Sequence, residues 1–190
     1  MSCLIRPMCR EDIEQAIEID SEAFPTMLPS ANYQRELKNE LSYYIVACDD
    51  QQVVGKTNKE RDSGDSNPVI GLAGFWLMAG EAHIVNIAVR QAYQRRGIGE
   101  LLLIKLINMA LEKGADTITL EVRKSNAAAQ KLYQKYGFNI KGIRRGYYLD
   151  DREDAVIMTA EDINSDAFQT NLDRLKKEHC QRWNEPAYDY

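Results

Sequence analysis

The sequence predicts a single α/β domain built on a mixed, mostly antiparallel sheet. One β-α-β unit is visible: the strand-like stretch 82–89 leads through a glycine turn into an apolar helix, 99–114, and then into a second strand, 116–122. The strands on either side of this unit look like hairpins, which are antiparallel. A chain of 190 residues, 44% of them hydrophobic, is long enough to bury one core and short for two.

Short elements are predicted before this unit. A strand at 3–8 is followed by a helix over 10–24, whose apolar residues form a narrow stripe. A second short helix is expected around 30–41. The β-branched and aromatic run 42–50 is typical of a strand, and we expect it to form a hairpin with a strand at 51–55.

The remaining segments complete the expected domain. Segment 56–68 has almost nothing apolar to bury, which indicates a mobile loop. A helix is predicted over 125–137, and residues 138–160 are expected to close the sheet as an antiparallel pair. We therefore expect one domain over 1–160, with 161–190 as an extension made of a helix and a polar tail.

Composition excludes several classes of function. With 24 basic and 29 acidic residues, the net charge of -5 gives no general attraction for nucleic acid. The four cysteines form no C-x-x-C pair and the two histidines are far apart, so we expect reduced thiols and no metal site. No apolar run approaches the ~20 residues of a membrane span, which favours a cytoplasmic protein. The oligomeric state stays open.

The stretch "QRRGIG", Gln94–Gly99, is a candidate phosphate cradle. A helix N-terminus offers unpaired N–H groups, and Gly97 and Gly99 let the backbone approach an anion closely. The alternative is a simple helix entry with arginines for solubility. A dinucleotide is one possible ligand, because Glu121 lies where a ribose-binding acid is expected, although Leu102 stands where a third glycine should be.

Gln94–Gly99 also matches the Q/R-x-x-G-x-G/A signature of the GNAT superfamily of N-acetyltransferases. The stretches "NIAV", "LEVRKSNAAAQKLYQKYGF" and "RRGYYLDDREDAVIM" resemble its members that acetylate protein N-termini, and the resemblance covers residues 4–159. It implies that the two central strands splay apart, that helices flank the sheet, and that acetyl-CoA is the acetyl donor, with no metal.

The resemblance also implies site residues. It makes Glu121 the general base and Tyr133 the general acid that protonates the leaving thiolate. Alternation alone would leave Glu121 as an exposed strand carboxylate, and Tyr133 belongs to an apolar helix stripe, where packing is the alternative. Asn126 either caps its helix, contacts the cofactor, or does both. The implied acetyl-CoA contacts are Ile87, Ala88 and Val89 through their backbone, Arg95, Arg96, Gly97, Ile98, Gly99, Glu100 and Asn126.

The expected acceptor is a protein N-terminus, with the alanine of a ribosomal protein as the first candidate. Tyr147 and Tyr148 are expected to form one wall of its groove, or else to be exposed sheet aromatics. The stretch 23–25, which is Ala23, Phe24 and Pro25, is expected to form the opposite wall. The family commonly has Asn and Pro where this chain has Gly146 and Leu149. Lysine side chains or small amines as acceptors, a non-catalytic acyl-CoA sensor and a nucleotide-dependent oxidoreductase are the alternatives.

Overall fold

A seven-stranded sheet organises the chain in the computed structural model, which describes residues 3–24, 32–49 and 67–183. The strand order across the sheet is β1-β2-β3-β4-β5-β7-β6. All neighbouring strands are antiparallel except β4 and β5, which confirms the predicted mostly antiparallel sheet. The strands are β1 Cys3–Pro7, β2 Ser42–Asp49, β3 Val69–Met78, β4 Glu81–Val89, β5 Thr117–Arg123, β6 Asn139–Arg144 and β7 Ala155–Ala160.

In the described residues, five α-helices accompany the sheet, with short 3-10 turns at Arg10–Asp12 and Gln91–Tyr93. The helix predicted around 30–41 is wrong in length, because only one turn of it forms in the described residues. The Asn39 side chain accepts a hydrogen bond from the Leu41 backbone N–H at 3.1 Å, a local bond that competes with helix continuation. The helices are α1 Ile13–Ala23, α2 Tyr33–Glu36, α3 Ile98–Glu112, α4 Ala127–Lys135 and α5 Asp166–Trp183.

The partner predicted for the second strand is wrong. Strand β2 has β1 on one edge and β3 on the other, so the next strand in the sheet after β2 is Val69–Met78. The predicted strand at 51–55 lies outside the described residues, as does most of the predicted loop, 56–66. The polar linker therefore connects two strands that are neighbours in the sheet.

A β-bulge opens the centre of the sheet. Gly74 of β3 faces Asn86, and Phe75 faces Ile84, so Val85 is an additional residue in β4. The parallel pairing of β4 with β5 ends at Ile84 and Leu120. Beyond that pair the two strands are not hydrogen-bonded to each other, which is the predicted splay.

Helices cover both faces of the sheet. On one face, α3 and α5 bury Leu103, Ile107 and Leu172 against the main core. On the other face, α1 buries Ala16 and Ile19 with strand residues in a second, smaller cluster. Within the described ranges, no helix combines the length and the apolar character needed to cross a bilayer. The sheet is thus an internal layer, and its open centre is accessible from two sides.

Candidate active site

The phosphate cradle, residues 95–100, has the geometry of an anion site. Gly97 is the N-cap of α3 with φ of +84°, and no side chain caps the helix. The first-turn N–H groups of Ile98, Gly99 and Glu100 therefore have no intrahelical partner. Arg95 and Arg96 are exposed beside them. Uncapped donors at the positive end of a helix, with two cations nearby, suit a phosphate group.

The Glu100 side chain is held away from this role. Its Oε1 accepts hydrogen bonds from Lys135 Nζ at 2.6 Å and from the Tyr136 hydroxyl at 2.9 Å. The hydrogen bond from Lys135 and the neighbouring charges hold the pKa of the Glu100 carboxyl below its usual value, against the effect of burial. Only the backbone N–H of Glu100 is therefore available to an anion.

The C-terminal helix reaches the cradle, which the sequence did not indicate. His179 of α5 is buried, with Nε2 3.1 Å from the Gly97 carbonyl oxygen. A Cβ built on Gly97 would lie 2.4 Å from Nε1 of Trp183. The extension thus fixes the loop that precedes α3.

The open edge of β4 lies next to the cradle. Ile87, Ala88 and Val89 pair with β3 on one side only, because β5 is no longer paired with this part of β4. The Gln94 side chain donates a hydrogen bond to the Val89 carbonyl at 3.1 Å. The Val89 carbonyl is thus occupied, and the other backbone groups that face away from β3 in this segment are available to an extended ligand.

A cavity of ≈ 380 Å³ lies where β4 and β5 separate, and both predicted catalytic residues line it. Glu121 and His83 reach it from the α1 face of the sheet, whereas Tyr133 packs with the main core on the α3 face. Because the strands separate here, groups from opposite faces meet in one space. Its lining includes Phe24, Trp76, His83, Val85, Ile87, Glu121, Asn126, Tyr133, Tyr147 and Tyr148.

Glu121 is an enclosed carboxylate with two partners. Its side chain is 6% exposed, with Oε2 2.8 Å from His83 Nε2 and Oε1 3.1 Å from an Arg144 guanidinium nitrogen. The hydrogen bond from His83 holds the pKa of the Glu121 carboxyl below its usual value, against the effect of burial. Sequence reasoning assigned no role to either partner. A lone histidine in an otherwise apolar strand was the available signal for His83.

Tyr133 combines packing with access to the cavity. Its ring lies 5.8 Å from the Phe138 ring, centroid to centroid, and burial raises the pKa of its hydroxyl to about 12. Within the described part of the chain, no side-chain hydrogen bond uses this hydroxyl. The Asn126 Oδ1 accepts a hydrogen bond from the Ala129 N–H at 3.1 Å, so Asn126 caps α4 and also lines the cavity.

The predicted acceptor walls line the same cavity. Tyr147 and Tyr148 follow β6 in a turn, with their rings edge to face at 5.2 Å. The alternative of exposed sheet aromatics is wrong for Tyr148, which is 8% exposed because the Arg123 guanidinium lies 4.0 Å from its ring centroid. Phe24 lines the cavity from the end of α1. The following proline lies outside the described residues.

The acidic turn after Tyr148 folds around a single arginine. Arg123 binds the carboxylates of Asp150 at 2.6 Å, Glu153 at 2.9 Å and Asp151 at 3.0 Å. We call this group the Arg123 clamp. It ties the segment that carries Tyr147 and Tyr148 to the end of β5, two residues from Glu121.

Comparison with known proteins places this geometry among acetyltransferases. The model of the acetyltransferase (GNAT) family matches residues 13–138. A protein of Bacillus subtilis (strain 168), named as a candidate ribosomal protein bS18-alanine N-acetyltransferase, is 34% identical over 81% of this chain and 92% of its own length. An N-alpha-acetyltransferase of Sulfurisphaera tokodaii is 36% identical over 78% of this chain and 87% of its own length.

The Escherichia coli ribosomal protein bS18-alanine N-acetyltransferase is similar in both sequence and structure. Its K12 sequence is 54% identical over 80 residues, which are 41% of this chain and 54% of that protein. The crystal structure of the E. coli enzyme superposes with a TM-score of 0.66 at 32% identity, covering 85% of this chain and 94% of that one. The family match at 13–138 includes the cradle, Val85 and Glu121, whereas Tyr147 and α5 lie beyond it.

Proposed function

Because the chain belongs to the GNAT family of acetyl-CoA-dependent N-acetyltransferases, we propose that its acceptor is the N-terminal α-amino group of a protein, first of all an N-terminal alanine of a ribosomal protein. The observation that carries the proposal is the cavity in the splay, where Glu121 and Tyr133 meet from opposite faces of the sheet. The similarity to proteins named for bS18-alanine acetylation supports the choice of acceptor.

The chain offers a continuous set of groups for acetyl-CoA. In this proposal the N–H groups of residues 98–100, with Arg95 and Arg96, bind the pyrophosphate, and the open edge at Ile87–Val89 binds the pantetheine arm. Gly97 fits this role because it has no Cβ and adopts the positive φ that brings the backbone close. Asn126, at the N-terminus of α4, adds a polar contact to the cofactor.

Each catalytic group then acts on its own side of the sheet. Acetyl-CoA supplies an acyl group activated as a thioester. On the α1 face, Glu121 provides the negative charge for general-base catalysis, in which the acceptor ammonium loses a proton. The neutral amine then attacks the acyl carbon. On the α3 face, the Tyr133 hydroxyl donates a proton to the leaving sulfur. A phenol whose pKa is raised to about 12 by burial stays protonated across the physiological range, as this role requires.

The acceptor side is bordered by aromatic rings. Phe24 and Tyr147 lie on the α1 face with Trp76, and Tyr147 is 41% exposed. Flat apolar walls suit the first residues of an extended peptide, which carry one amine at their end. A long lysine side chain or a polyamine would make fewer contacts with such walls.

A peptide library varied at its first two residues tests the acceptor, with acetylation read by mass spectrometry. We expect preference for alanine or serine at the first position. Modification of lysine side chains or polyamines alone would overturn the proposal.

Two substitutions test the catalytic roles. Glu121→Gln and Tyr133→Phe should each lower kcat by roughly 10²-fold or more and leave the dissociation constant of acetyl-CoA unchanged. Tyr43→Phe is a matched control, because that ring stacks on Phe75 and does not line the cavity. Wild-type turnover in both catalytic variants would refute the assigned roles.

A further inference from the structure

Glu121 is poorly placed to take a proton directly. Its carboxylate has His83 on one oxygen and Arg144 on the other, and its side chain is only 6% exposed. The His83 donor and the positive charge of Arg144 stabilise the ionised carboxylate and so reduce its basicity. An acceptor amine that approached Glu121 would share a carboxylate oxygen that already has His83 or Arg144 as a partner.

His83 is the more accessible member of the pair. It lies in β4 opposite Thr119 of β5, so Glu121 is its diagonal neighbour two residues further along β5. The His83 side chain is 28% exposed and lines the cavity. Of the two side chains, the imidazole therefore presents more surface to the cavity.

The hydrogen bond to Glu121 determines which nitrogen of the neutral His83 ring carries the proton. In the neutral ring one nitrogen carries the proton, and a carboxylate accepts it, so Nε2 is the donor and Nδ1 carries the lone pair. Within the described ranges, no side chain or backbone group donates a hydrogen bond to Nδ1. This nitrogen is a base without a competing partner there.

The other groups around His83 preserve this arrangement. Arg144 of β6 faces Glu121, and Tyr147 stacks under that arginine, 5.6 Å from its Cζ to the ring centroid. Trp76 of β3 is the register neighbour of His83, and its Nε1 donates to Glu36 of α2 at 2.7 Å. Glu121 is therefore the charged group in direct contact with His83.

We propose that His83 is the catalytic group that accepts the proton of the acceptor ammonium, and that Glu121 acts through it as its positioning and charge-stabilising partner. The inference rests on the proposed function and refines the role of Glu121. The N–H bond of the ammonium breaks, and the proton moves to Nδ1 while Nε2–H stays bound to Glu121. The amine attacks the acyl carbon, and the C–S bond breaks as Tyr133 protonates the departing sulfur. The second N–H proton, lost as the amide forms, passes through water to the Tyr133 oxygen and restores the phenol, while the proton on His83 passes to bulk water.

The ordinary acidities of these groups favour this route. An α-amino group has a pKa of about 7.7–8.0, an imidazole about 6.5 and a glutamate about 4.3. Proton transfer from the amine to an imidazole is therefore less uphill than transfer to a carboxylate.

Paired substitutions of His83 separate catalysis from positioning. Glutamine can still donate a hydrogen bond to Glu121 but cannot accept a proton, so His83→Gln should lower kcat by roughly 10²-fold with unchanged acetyl-CoA affinity. The double variant with Glu121→Gln should be little slower than the slower single variant, as for residues that act as a unit. Wild-type kcat in His83→Gln, with loss only in His83→Ala, would reduce His83 to a positioning residue and overturn the proposal.

The ring tautomer gives a readout that needs no acceptor. The chain has only two histidines, so ¹⁵N NMR with His83→Gln as the assignment control resolves each ring. We expect the neutral ring of His83 to be protonated on Nε2, and a proton on Nδ1 would overturn the proposal. A wild-type protein that acetylates no N-terminal peptide would refute the proposed acceptor, and the tautomer would still decide the arrangement of His83.

Discussion

The geometry of the cradle depends on single residues, of which Gly97 is the clearest example. Its φ of +84° lies in the left-handed region, where an L-residue with a Cβ is strained, and the indole of Trp183 fills the space beside it. Gly99, two residues later, is helical, and an added Cβ would meet Val89 at an ordinary 3.8 Å. The two glycines of the signature therefore differ in how strictly their positions require glycine: Gly97 needs it for its backbone conformation and its contact with Trp183, and Gly99 needs it for neither.

A pair of substitutions at these positions should behave differently. We expect Gly97→Ala to lower the free energy of unfolding by about 2 kcal/mol and to weaken acetyl-CoA binding, because it adds both backbone strain and a contact with Trp183. Gly99→Ala should leave stability within about 0.5 kcal/mol of wild type. Denaturant unfolding and calorimetric titration measure both quantities, and equal effects of the two changes would contradict this account.

How far single residues could be predicted depends on where their partners lie along the chain. Alternation placed Glu121 on the polar face of its strand, and the helix stripe placed Tyr133 against the core, as observed. The contact between His83 and Glu121 needs the register of β4 with β5, which no local pattern contains. Gly146, where the family commonly has Asn, has φ of +57°, a conformation that both residues tolerate.

At the scale of elements, α5 and the turn after β6 act on the site without supplying its chemistry. Helix α5 buries His179 and Leu175 and touches the cradle through Trp183. The Arg123 clamp holds the segment with Tyr147 and Tyr148 against the end of β5. The sequence indicated a helix near the C-terminus and an acidic turn, but neither contact, because both join segments far apart in sequence.

Removing the contact between α5 and the cradle should affect the donor side. We expect His179→Ala to weaken acetyl-CoA binding, by about tenfold for each 1.4 kcal/mol lost, with a smaller change in kcat. The reason is that the Gly97 carbonyl loses its contact with the buried imidazole and keeps only the hydrogen bond from the Leu101 N–H, so the loop becomes less fixed. Arg174→Ala, on the exposed side of α5, is the control. Unchanged affinity in His179→Ala would show that α5 does not support the cradle.

Loss of the clamp should affect the acceptor side instead. Arg123→Met leaves Asp150 and its neighbours without their shared cation, so the turn that carries Tyr147 and Tyr148 loosens. We expect a higher KM for the peptide with the same dissociation constant for acetyl-CoA. Steady-state kinetics measure the first quantity and calorimetry the second. Lys141→Met, which removes only an exposed pair with Glu161 on the outer strand, should change neither.

As a whole, the molecule consists of two antiparallel halves joined by a short parallel seam. Strands β1–β4 form one half and β5–β7 the other, and four residue pairs join them. The hydrophobic pattern predicted β4, β5 and the helix that crosses between them, since each is a run of consecutive residues, but it contained no information on the register of the seam. It misassigned the partner of β2 because a polar linker separates β2 from β3, and the pattern contains no information across such a gap.

Ligand binding to the folded molecule distinguishes the family chemistry from a dinucleotide site. At 100 times its dissociation constant, acetyl-CoA should add about 2.7 kcal/mol to the free energy of unfolding and raise Tm by several degrees. NAD at the same concentration should leave Tm unchanged, because β4 and β5 are the only parallel pair among the described strands. A larger shift with NAD would contradict the assigned ligand.

The cleft depends on the bulge residue Val85, whereas the alternation of side chains along β4 does not. On either side of Val85, Ile84 and Ile87 face the main core, whereas Ala88 faces the α1 cluster. A chain shortened by this one residue would keep each of these side chains on its present face, now in strict alternation. Its strand would run straight, and its pairing with β5 could continue past Ile84. Deletion of the Val85 codon alone would therefore give a folded protein in which β4 and β5 stay paired where the cavity now lies.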